Sequence, residues 1–167
     1  VHQHNAPFVC LDAEAIVSKQ GNLPHIVELD FFRRCLDQAR AAVEAGMQKA
    51  RPVTGIAAGQ AEVQDVASNR RVFRNTYGHV MKIRGSSCRD EELRALTDGI
   101  IDPQLKTVAF YDGDTKIAAC HYYATHPMSY YGDGRVSSDF VGLARKRRQQ
   151  EQPECQHLYF TGCAGNI

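Results

Sequence analysis

A chain of 167 residues with 43% hydrophobic content has the material for one domain with a sizeable core. Its net charge of +1 sets up no field that would draw it to nucleic acid or to an acidic membrane surface. No apolar run approaches the roughly 20 residues that a membrane-spanning helix needs, and Cys10, Cys35, Cys88, Cys120, Cys155 and Cys163 are scattered without the Cys-x-x-Cys spacing of a zinc knuckle or redox centre.

The chain opens on His2-Gln3-His4. In an extended segment side chains alternate faces, so these two imidazoles point the same way and can converge on one small volume. Residues 8–29 keep no clean period and contain Gly21-Asn22 and Pro24, which predicts a long loop with at most a helical turn. From Asp30, a good N-cap, Phe31, Phe32, Cys35, Leu36, Ala39, Val43 and Met47 recur at helical steps, predicting a helix that ends near Ala50 and buries Cys35 on its apolar face.

Val53 to Val66 suits one or two strands with Gly59 as a bend, and 68–74 and 84–102 read as polar loops. Thr107 to Tyr111, the turn Asp112-Gly113-Asp114-Thr115 and Lys116 to Ala124 form the clearest hairpin, with Cys120 inside its second strand. His126 leaves its far end in Ala124-Thr125-His126-Pro127. Ser137 or Ser138 can cap a helix running to about Gln150, whose basic run 145–148 reads as a solvated face, and His157 to Phe160 is a last strand entering a glycine-containing turn. Strands alternating with helices define an α/β chain, mixed β-sheet layers flanked by helices.

Four landmarks in order resemble the catalytic domain of the neutral/alkaline, non-lysosomal ceramidase family. Val1-His2-Gln3-His4-Asn5-Ala6-Pro7 is similar to that family's Thr-His-Thr-His-Ser-Gly-Pro, and Asn69-Arg70-Arg71-Val72 to its Asn-Arg-Ser-Pro. Ala124-Thr125-His126-Pro127, followed by Ser137-Ser138-Asp139, resembles its Ala-Thr-His-Gly and Ser-Gly-Asp. Phe160 to Ile167 resembles its strand ending in Asn-Val-Gly-Asp-Val-Ser-Pro. The match spans nearly the whole chain in short islands. It departs where Arg71-Val72 replaces Ser-Pro and where Asn166 replaces Asp, so no role of those replaced residues carries over.

The resemblance implies that residues 1–167 are a fragment of a single zinc hydrolase catalytic domain. It makes His2 and His126 zinc ligands, His4 a neighbour that hydrogen-bonds or donates a proton, and Arg70 the cation beside the metal. The family completes its zinc site with a Glu and a Tyr lying beyond the equivalent of Ile167. The implied reaction is cleavage of an N-acyl amide, ceramide-like, with a small-molecule or lipid substrate, no nucleic acid, and room for peripheral membrane contact by the full-length protein. Two alternatives stand beside it: a metal-dependent hydrolase of a non-lipid amide or ester, and a non-catalytic binding domain on the same fold. Asp139 is either a helix cap or a group that orients a ligating imidazole. His25, His79, His121 and His157 lack partners at ligand spacing and read as structural or surface residues, with His121 pointing away from His126.

Overall fold

The structure is a computed structural model and describes residues 3–85 and 88–167. The backbone divides into two compact units: residues up to Asn5 together with Val53–Ile167, and Ala6–Pro52.

The first unit is built on a four-stranded sheet of order β1-β4-β5-β6, from β1 (Gly55–Glu62), β4 (Gln104–Asp112), β5 (Thr115–Tyr123) and β6 (Gln156–Thr161). β1, β4 and β5 pair antiparallel, while β6 lies parallel to β5 and is reached through α4 (Asp139–Glu151), the crossover that a parallel pair requires. The sheet is therefore mixed, and the α/β expectation holds. The hairpin of β4 and β5 forms where alternation and the Asp-Gly turn place it, with Gly113 at φ +59.

Three stretches differ from expectation. Gly59 pairs in unbroken register with Thr107, so β1 runs straight through it. The stretch read as a polar loop contains β2 (Val72–Arg74), which pairs with β3 (Val80–Ile83) in a separate two-stranded sheet. The following excursion carries one short helical turn, α3 (Glu91–Arg94), capped by the Asp90 side chain. Strands of three and four residues are too brief for a periodic pattern to stand out.

The core of this unit gathers at the ends of β5 and β6, where Ala67, Tyr123, Ala164 and Ile167 pack together with Val63, Ile101, Leu105 and Tyr159 around them. Burying an aliphatic side chain such as Ile167 stabilises by roughly 1.5–3 kcal/mol. This places the apolar mass directly beneath the strand exit that carries His126.

The second unit holds α1 (Leu11–Val17), a 3-10 turn (Ser18–Gln20) and α2 (Leu29–Met47). Residues 8–29 are thus more ordered than a loop. Their organiser is Glu14, whose buried carboxylate accepts hydrogen bonds from Ser18 Oγ, Ile26 N and Val27 N and pairs with His25 Nδ1. His25 first, then Ser18 and the backbone donors, hold its pKa down to about 2. α2 forms as its spacing predicts, but no residue on it is buried, and Cys35 is exposed rather than covered. A unit this short has too little apolar surface to cover a 19-residue stripe.

Candidate functional site

At the exit of β5 the chain makes a tight, buried bend. Thr125 N donates to Tyr123 O at 3.0 Å and Gly162 N donates to the same carbonyl at 2.8 Å. A Cβ on Gly162 would stand 3.3 Å from Ala124 N, so a small residue is needed where the β5 and β6 exits cross. Ala124 and Thr125 are buried, and His126 emerges half-buried from this fixed base.

The loop after His126 is anchored by Asp139. Its buried carboxylate accepts from Ser129 N at 2.9 Å, Ser129 Oγ at 2.6 Å and Phe140 N at 2.7 Å, and its own N–H donates to Ser137 Oγ at 3.0 Å. Asp139 sits at φ +55, a left-handed conformation that aspartate tolerates better than most residues. Its bond to Phe140 N satisfies a first-turn donor of α4, the helix-start role expected of it, and its two bonds to Ser129 tie the loop bearing His126 to the start of that helix.

Asn5 does the same for the segment bearing His4. Its side-chain amide donates to Tyr130 O at 2.9 Å and Arg135 O at 3.1 Å, and its backbone carbonyl accepts from Ser137 N at 2.9 Å. The His4 ring consequently lies edge-on against His126, with centroids 5.3 Å apart at 87°, and 5.4 Å from the Tyr131 ring.

Arg70 arrives from a loop locked on two sides. Its backbone N–H donates to Asn166 O at 2.8 Å, joining it to the tail of β6. Arg84, at the end of β3, donates through Nε to Asn69 O at 3.2 Å and through Nη2 to Ser68 O at 3.0 Å and Asn69 O at 2.8 Å. Gly99, at φ +74, leaves room for the Asn69 side chain, which a Cβ there would strike. Arg71, one residue on, is turned away into a pair with Asp98 and a bond to Arg94 O.

These anchors bring Arg70 and His126 to the wall of one cavity of about 230 Å³, together with Ser68, Arg84, Thr125 and Ser129. His4 touches His126 yet lines a separate cavity of about 220 Å³ with Asn5, Pro127, Ser137 and Asp139. His2 lies outside the described residues. Among the described residues no three His, Cys, Asp or Glu side chains form a group able to hold a metal ion. His126 is therefore the one expected ligand whose surroundings are defined, and the two-imidazole set of His2 and His126 falls below the three protein ligands usual at catalytic zinc.

A second histidine pair had no signal in the spacing. His121 Nε2 and His157 Nδ1 are 3.0 Å apart, and His121 Nδ1 is 2.9 Å from Thr107 Oγ1. The rings stack at 5.3 Å on the wall of an apolar cavity of about 460 Å³ between the sheet and α4. Burial first, then the Arg148 and Lys116 charges, keep the His157 imidazole below its usual range, and burial with His157 does the same for His121. The three arginines of the basic run on α4 have local partners: Arg147 and Arg148 pair with Glu151, and Arg145 Nε donates to His157 O at 2.8 Å.

Sequence reasoning missed Arg84, Asn5 and Ser129. Asn5 had a signal, since it follows the His-x-His pair directly; Arg84 and Ser129 had none, because their partners are distant backbone and side-chain groups.

The arrangement defines a polar cavity at the carboxyl ends of strands in a mixed α/β fold. No protein-family model and no curated protein sequence matches the chain. Among solved structures it is similar to the neutral ceramidase from Pseudomonas aeruginosa, with a TM-score of 0.59, 18% identity, and coverage of 84% of this chain and 21% of that one. A ceramidase complexed with C2 is also similar, at a TM-score of 0.48 and 20% identity, over 70% of this chain and 17% of that one. At these identities the likeness to the Pseudomonas enzyme is one of fold, and the chain spans about a fifth of that enzyme's length.

Proposed function

We propose that the protein is a zinc-dependent hydrolase that cleaves an N-acyl amide, the type of bond that ceramide contains. The observation that carries this reading is the convergence of His126 and Arg70 on one cavity with the His4 ring packed edge-on against His126. His2 and His126 would hold the metal. Zinc, when bound, supplies Lewis acidity that generates hydroxide at neutral pH and polarises a scissile carbonyl.

The chain's own residues supply the rest. Arg70, exposed on the cavity wall, offers a guanidinium to the oxyanion that develops as the carbonyl is attacked. His4 donates a proton to the departing amine, the role that an imidazole beside the reacting centre fills well near neutral pH. Asn5 and Asp139 are positioning residues that fix the segments bearing His4 and His126.

The test is zinc content of the full-length protein beside its His2→Ala and His126→Ala variants. About one zinc per chain, lost in both variants, is expected. Equal zinc in all three, or none in any, sinks the reading.

A further inference from the structure

Among the described residues, the cavity shared by His126 and Arg70 has no acidic side chain on its wall. Its polar lining is Ser68, Arg70, Arg84, Thr125, His126 and Ser129, three hydroxyls with three basic groups. The charge balance nearby is uneven. Arg71 has Asp98 as a partner, whereas among the described residues Arg70 forms no ion pair and Arg84 bonds only to the neutral carbonyls of Ser68 and Asn69. Burial first, then Arg71 and more weakly Arg70, push the Arg84 guanidinium below its usual range. Two guanidinium groups facing a cavity without a carboxylate raise each other's energy, and an anion seated between them lowers both.

From this we infer that the cavity binds an oxyanion, and that the amides this protein cleaves carry a carboxylate beside the scissile bond. The inference rests on the hydrolase reading for its second half only. At about 230 Å³ the cavity is smaller than the roughly 300–1,000 Å³ of sites that enclose a drug-sized ligand, so it suits a charged head group rather than a long chain. Arg84 would act here as a binding residue for the anion, and its bonds to Ser68 and Asn69 would also keep Arg70 in place.

The experiment is calorimetric titration of the full-length, zinc-free protein with inorganic phosphate, then with N-acetylglycine and its neutral N-methylamide. Arg70→Gln, Arg84→Gln and Arg84→Lys are compared with Arg147→Gln, which removes one charge on α4 away from the cavity. Phosphate should bind, weaken at least tenfold in Arg70→Gln and Arg84→Gln, less in Arg84→Lys, and not change in Arg147→Gln. N-acetylglycine should bind at least tenfold more tightly than the methylamide. Phosphate binding that is absent, or equal in all folded variants, overturns the anion site. Phosphate binding without preference for N-acetylglycine overturns the carboxylate-bearing substrate and leaves free phosphate as the ligand. If Arg84→Gln fails to fold by circular dichroism, Arg70→Gln and Arg84→Lys decide on the same criterion. Zinc is absent throughout, so this result and the zinc titration fail independently.

Discussion

Asp139 carries more of the site than any candidate ligand does. One buried carboxylate satisfies three donors from two different segments, and its left-handed backbone excludes most replacements without strain. Asp139→Ala removes every acceptor and leaves Ser129 and Phe140 donors unpaired, a loss on the order of 3 kcal/mol given about 1.5–3 kcal/mol per hydrogen bond to a charged group. Asp139→Asn keeps the tolerance for positive φ and one acceptor oxygen, so it should cost roughly half as much. Urea unfolding of the two variants checks the order; equal losses would mean that backbone strain, not the carboxylate, sets the cost. Asp139 also shows what the sequence hid. Its place before a helix announced a cap, but its real partner, Ser129, is chosen by how the loop after His126 folds back, and no local pattern encodes that.

At the scale of elements, Thr107, His121 and His157 form a polar line across β4, β5 and β6. The hairpin was legible because alternation and a turn dipeptide are local. The histidine pair was not, because it depends on β6 returning parallel to β5 through α4. Burial first, then the charges of Arg148 on α4 and Lys116 on β5, push both imidazoles below their usual range, with His157 adding to the effect at His121 and Arg145 adding at His157 against Glu151. Their folded pKa values lie below the unfolded imidazole value of about 6.5. Above that pH neither state takes up protons on these rings and the pair costs nothing. As pH falls through 6.5 the unfolded chain binds protons that the folded chain does not, so stability drops until the folded values are passed. Urea midpoints should therefore fall from pH 7 to pH 5, and the portion owed to this pair should vanish in a His121→Gln/His157→Gln variant. An identical slope in wild type and variant removes the pair as its source.

For the whole molecule, the likeness to the Pseudomonas ceramidase is one of fold and does not decide what the cavity does, since one fold hosts many chemistries. What this chain contributes of its own is the inventory around the cavity and a strong contrast in local stability. β4 and β5 are the interior strands of the sheet and hold Ala109 and Ala119 buried, whereas α2 runs 19 residues with no buried residue. A helix without tertiary cover is marginal even at about 12–15 residues, so α2 should open with a free energy near zero while the central strands open only on global unfolding. The helical spacing of α2 was readable; its exposure was not, because periodicity reports which face is apolar and says nothing of what lies against it. Hydrogen exchange on the 167-residue chain should find α2 amides exchanging orders of magnitude faster than those of Val108 and Ala119. Protection of α2 equal to that of β5 would require its apolar stripe, Phe31, Leu36, Val43 and Met47, to be packed in solution.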